Sequence, residues 1–224
     1  MNKIKFPLIL MAFLTCFNSC RTLPTNAVSS NLSISENSTV ISEVALSGTL
    51  ISATEEDLNE IKQILPDLLK TGGKIFSVIK NNDCEVFKDD VIELDDRTYR
   101  RVDFVKSFGI DIHTMVEFKG YIESYYTTEM ASEMFYDFFA LGSYVELDGK
   151  IYYCSEIGGG YGGYHNWLPE TAEIKSRTED EMLLRIKFYS SYIEQFPDPF
   201  TGLVKIKKVN GKWLLNSYIE TSKT

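Results

Sequence analysis

Two dipeptides, Asp148-Gly149 and Asn210-Gly211, each sit between short runs of apolar and β-branched residues. Both central residues of a two-residue type I′ turn need positive φ. Asp-Gly and Asn-Gly reach that conformation at low steric cost, so each pair signals a hairpin. "SYVELDGKIYY" and "GLVKIKKVNGKWLLNSY" are therefore expected as antiparallel hairpins. Between them, "LLRIKFY" sets Leu184, Ile186 and Phe188 against Arg185, Lys187 and Tyr189. That period of two belongs to a strand with one buried face. From Ser143 onward the expectation is an antiparallel sheet.

The residues before Ser143 carry a helical period instead. Thr54-Glu55-Glu56-Asp57 has the form of a capping box. Leu58, Ile61, Leu65, Leu68 and Leu69 then recur at helical spacing, and Pro66 is expected to kink or restart the helix. Lys74 to Lys80 continues it past Gly72-Gly73. "NNDCEVFKDDVIELDDRTYRRVDF" reads as turns and short strands, the best from Thr98 to Phe104. Asp111 or Thr114 can cap a second helix with Ile112, Met115, Val116, Ile122 and Tyr126 along one side. After Thr127-Thr128 a third helix turns Met130, Met134, Phe135 and Phe138 inward. These stripes are core, not cofactor contacts. Helices first and strands after define an α+β class, with N-terminal helices packed on a C-terminal antiparallel sheet. No internal repeat is present.

The chain opens "MNKIKFPLILMAFLTCFNSC". Lys3 and Lys5 precede an apolar run, Phe6 to Phe17, that is too short to span a bilayer, which takes about 20 residues. This is the pattern of an export signal. Its end, Phe17-Asn18-Ser19-Cys20, resembles a bacterial lipobox, which implies cleavage before Cys20 and lipid on its thiol. Residues 1–19 are then a lipoprotein signal peptide. Residues 20–53, rich in Ser, Thr and Asn, read as a flexible lipid-anchored tether. Residues 54–224 form one domain, held at a membrane by lipid without crossing it.

Charge and motif content narrow the chemistry. The net charge is −9, and loss of residues 1–19 removes two lysines and no acid, giving −11. Such a chain does not suit nucleic acid, whose binding relies on cations at phosphates, but suits a basic partner. Cys84 and Cys154 can pair outside the cytoplasm or remain buried thiols. His113 and His165 are the only histidines, and neither sits at metal-ligand spacing. No EF-hand loop appears among the acids, so no metal or other cofactor is expected. "GGGYGGYHNW", Gly158 to Trp167, lacks the Gly-Lys-Ser/Thr of a P-loop and is not GxGxxG. Cys154 and His165 could meet across that loop, yet no peptidase-like context surrounds the cysteine. The expectation is a protein that is not an enzyme.

"YRRVDF", "KGYIESYYTTEMASEMFYDFF", "GSYVELDGKIYY", the Gly-rich loop and "NW" follow one another in a single order. That order resembles the DL-endopeptidase inhibitor family, the IseA type. The matching positions are Tyr99-Arg100, Tyr125 to Ala131, Glu146 to Lys150, Gly159-Gly160 and Asn166-Trp167, over roughly residues 55–220. The chain departs from the family in its lipid anchor, a longer and more aromatic loop, and the stretch "SSYIEQFPDPFTG" before the last hairpin. The resemblance implies a non-enzymatic inhibitor of secreted NlpC-type endopeptidases of the cell wall, blocking the substrate cleft. The loop would supply the partner-binding residues. Tyr161, Tyr164 and Trp167 are anchors of the kind enriched at hot spots. Gly159 and Gly160 allow close approach, and Glu156 favours a basic enzyme surface. His165 and Asn166 lie between the loop and Trp167, and Asn166 can fix the loop through backbone hydrogen bonds. Trp167 can equally pack in the core. A cystatin- or NTF2-like envelope lipoprotein that binds a ligand, and an envelope scaffold without an enzyme partner, are the competing readings. A deep apolar pocket would favour the ligand binder.

Overall fold

A computed structural model of the chain describes residues 46–157, 165–190 and 198–217. The expected signal peptide, Cys20 and most of the expected tether lie outside these residues, as do Gly159, Gly160, Tyr161 and Tyr164.

Helix α1 (Glu55–Lys80) starts at the expected capping box: the Thr54 side chain accepts from the Asp57 N–H, and Asp57 accepts from the Thr54 N–H. Ile61, Leu65, Leu68, Leu69, Ile75 and Val78 form its buried stripe. Pro66 neither ends nor restarts the helix. Pro66 and Lys62 both lie on the exposed side. The carbonyl that proline leaves without an N–H partner therefore faces water, which can satisfy it.

Strands β1 (Val86–Leu94) and β2 (Arg97–Val102) follow as a hairpin. Phe104 does not extend the strand. Asp103 accepts from the Lys106 N–H and starts a short helix, α2 (Phe104–Phe108), which closes on Gly109 in the left-handed conformation. Thr114 caps α3 (Met115–Glu123) through a second capping box. Phe118 and Ile122 face the core, while Val116 is 80% exposed, contrary to the expected inward stripe. Two residues before Phe118 is about 200° around the helix, so once Phe118 is inside, Val116 must be outside. The third helical region is α4 (Thr128–Ala131), a π-helical turn (Ser132–Tyr136) and α5 (Asp137–Ala140). Consecutive Met134 and Phe135 are both buried there, and Phe138 is half-buried. No helix among the described residues is long and apolar enough to cross a membrane.

The strands make two four-stranded antiparallel sheets, not one. The first, in order β1-β2-β4-β3, combines β3 (Tyr144–Leu147) and β4 (Lys150–Tyr153) with the earlier hairpin. The second, in order β5-β6-β7-β8, contains β5 (His165–Arg177), β6 (Glu181–Ser190), β7 (Phe200–Val209) and β8 (Lys212–Leu215). Both hairpin signals hold: Asp148, Gly149, Asn210 and Gly211 all have positive φ. The class is α+β, with β1 and β2 interrupting the helices.

One core joins these layers. Tyr126 is wholly buried and its hydroxyl donates to the Gly72 carbonyl of α1 at 2.9 Å. Tyr144 donates to the Val78 carbonyl at 3.0 Å. The α3–α4 junction is fastened to β8, with the Thr127 N–H on the Leu215 carbonyl and the Leu215 N–H on that of Tyr125. Cys84 and Cys154 remain thiols, and burial pushes Cys84 up to about 12.

Candidate functional site

Strand β5 is 13 residues long, and its two ends are built differently. At a strand rise of about 3.3 Å per residue its span is up to about 40 Å, less what its bulges take up.

At the Arg177 end the buried acids are paired, although the buried Arg177 Nε has no hydrogen-bond partner among the described residues. Glu181, 2% exposed, accepts the Ser47 N–H at 2.7 Å and pairs with Lys205 at 3.2 Å. The Arg177 carbonyl accepts the Ile51 N–H, and the Arg177 guanidinium reaches Asp57. Burial raises the Asp57 carboxyl, but bonds from the Thr54 N–H and hydroxyl, with Arg177 and Lys208, bring it below the usual carboxylate range. Residues 47–51, tether by composition, are thus bonded to the β5–β6 turn. A serine-rich stretch gives no sign of this, because the acceptors lie more than a hundred residues away.

At the His165 end the chain emerges from the segment Gly158–Tyr164. Upstream of that segment, Ser143, itself buried, donates to the Ile157 carbonyl at 3.0 Å, and the Ile157 N–H meets the Cys154 carbonyl at 3.4 Å. Glu156 is exposed on the intervening turn. Downstream, Trp167 packs at 4.9 Å between centroids on Phe188. Its ring fills the notch over Gly202, where a Cβ would come within 2.7 Å of it. Only 8% of Trp167 is exposed, so it is a core residue and not a free anchor. Asn166 is exposed. His165 stands edge-on to Phe188 at 5.1 Å, and burial lowers its pKa from 6.5. Its Nδ1 is buried and has no hydrogen-bond partner among the described residues, Cys154 included. Cys154 lies instead in a small cluster with Tyr99 and Tyr152.

A bulge follows. Between Leu168 and Glu173 the register of β5 against β6 shifts. The Thr171 hydroxyl donates to the Leu168 carbonyl at 2.7 Å and accepts the Lys187 N–H at 2.9 Å, standing in for a ladder bond. Pro169, within the bulge, lines a groove of about 530 Å³ that runs between β5 and α1. His165, Asn166 and Trp167 line it from the strand side, and Leu69, Lys70 and Gly73 from the helix side. The sequence marks His165 to Trp167 as a site but gives no sign that α1 forms the opposite wall.

The structure therefore brings Glu156, His165, Asn166 and Trp167 to the chain on either side of one segment, with Trp167 turned inward. Compared with known proteins, the chain matches no protein-family model and no curated sequence.

Proposed function

We propose that this chain is a non-catalytic inhibitor of a secreted NlpC-type cell-wall endopeptidase, exported and held at the membrane by lipid on Cys20. Gly158–Tyr164 enters the enzyme's substrate cleft, with Tyr161 and Tyr164 as anchors and Gly159 and Gly160 allowing close approach. Glu156 and Asn166 extend the contact, and His165 and Trp167 support it from beneath. The observation that carries the reading is the rooting of this segment. Ile157 is bonded to buried Ser143 on one side, and Trp167 is locked over Gly202 on the other. Rigid roots on either side of a connecting segment suit binding, because ordering the scaffold costs nothing further at association. The order of motifs shared with the IseA type supplies the partner class, and the IseA-like arrangement of helices on sheet belongs to the same proposal. The net negative charge and Glu156 would speed encounter with a basic enzyme.

A soluble form for the test begins upstream of Ser47, since the Ser47 N–H is part of the Glu181 cluster. Titrated into an NlpC-type endopeptidase of the same organism, it is expected to suppress stem-peptide cleavage in a dose-dependent way. Tyr161→Ala with Tyr164→Ala should weaken that suppression. Absence of both inhibition and binding across the organism's secreted endopeptidases would refute the proposal.

A further inference from the structure

The groove between α1 and the head of β5 has a character unlike the rest of the surface. The chain carries 32 acidic and 23 basic residues, yet among the described residues no carboxylate lines this groove, while Lys70 and Lys74 do. Lys74 is paired with Asp83 at 3.3 Å, and exposed Lys70 has no ion pair among the described residues. Between the lysines and the strand the lining is apolar: Leu69, Trp167, Pro66 and Pro169. Its volume of about 530 Å³ lies within the range of small-molecule sites. The Nδ1 of His165, buried and without a hydrogen-bond partner among the described residues, lies at the same place, and orphaned polar atoms in native structures call for an explanation. Gly73 gives a further sign. A Cβ there would meet nothing within 4 Å, so close packing does not demand the glycine. Alanine would suit the middle of a helix better. Glycine at this position keeps the groove open.

We propose that this groove binds a small molecule with an apolar body and one carboxylate. The apolar part lies along Leu69 and Trp167 over Gly73, and the carboxylate is held at the Lys70 edge with the Asn166 amide opposite. Charge complementarity selects the anion, since Lys70 has no ion pair among the described residues and Asp83, beside this edge, is taken up by Lys74. This groove shares His165, Asn166 and Trp167 with the proposed endopeptidase contact, but its test reads ligand binding and not inhibition, so either reading can fail alone.

The full chain, labelled with nitrogen-15, is titrated with N-acetyl-leucine, N-acetyl-phenylalanine and N-acetyl-tyrosine, and with their uncharged primary amides. The expected result is amide shifts clustered at Leu69, Gly73, Asn166 and Trp167. At least one acid should bind about tenfold more tightly than its amide. Lys70→Glu should weaken the acid at least about threefold, the scale of one exposed charge contact, and leave the amide unchanged. Gly73→Leu should fill the groove and abolish binding of both, while the rest of the spectrum shows the fold intact. Acid and amide binding equally, shifts lying elsewhere, or no groove shifts from any probe at millimolar concentration would each overturn the assignment.

Discussion

The two ends of β5 solve opposite problems. At Arg177 the buried acids are paired, Glu181 with Lys205 and Asp57 with Arg177, with the N–H groups of Ser47 and Ile51 bonded beside them, although the buried Arg177 Nε has no hydrogen-bond partner among the described residues. At His165 a buried ring nitrogen goes unmatched, an amide is exposed, and a groove opens against α1. Buried ion pairs with their hydrogen bonds rigidify a fold, whereas concavities accompany binding. The Arg177 end holds the chain that enters at Ser47, and the proposed reading gives the His165 end to recognition.

Substitutions can break this contrast, and the largest effect is expected at the matched end. Glu181→Ala removes a buried carboxylate from two lysines and from the Ser47 N–H, and should cost about 3 kcal/mol in chemical denaturation. Glu181→Gln keeps an acceptor for Ser47 and should cost less. Gly202→Ala drives a methyl group against the buried Trp167 ring and should cost about 2 kcal/mol, with altered near-ultraviolet dichroism. Thr54→Ala removes a cap worth about 1 kcal/mol. Asp57 extends that prediction to pH. Its folded pKa is depressed below 3.8, so its contribution is present above that value and lost as pH falls through the folded value. Thr54→Ala should flatten this acid loss in unfolding measured from neutral pH downward.

The smallest effect belongs to the unmatched end. His165 is held neutral by burial, with a folded pKa under 6.5. Below 6.5 the unfolded chain takes up a proton that the folded chain resists, so stability declines as pH falls from there to the folded pKa. His165→Phe should remove this slope and leave stability near neutral pH within about 0.5 kcal/mol, the range of substitutions away from special features. A large loss at neutral pH would mean that His165 is structural.

Local rules carried far in this chain, and long-range partnerships did not. The capping boxes at Thr54 and Thr114 and the turns at Asp148-Gly149 and Asn210-Gly211 depend on neighbours in sequence, and all four are present. The buried alternation of Leu184, Ile186 and Phe188 was equally visible. Pro66 misleads because its effect depends on which face the freed carbonyl takes. Val116 misleads because it lies about 200° around α3 from Phe118, the residue that takes the core side. The pairing of β2 with β4 joins residues some fifty positions apart, which no local pattern encodes. At the site, Trp167 was ambiguous until Gly202 appeared beneath its ring, and the α1 wall of the groove had no sequence signal.

The most direct measurement uses two charge variants on opposite ends of β5 in the stem-peptide cleavage assay. Glu156→Lys with Asn166→Arg alters the exposed residues beside the His165 end. Glu179→Lys alters an exposed position on the β5–β6 turn. The account predicts that the first variant loses most of its inhibition of the endopeptidase while the second inhibits like the unaltered chain. Equal inhibition by both, or loss confined to Glu179→Lys, would contradict it.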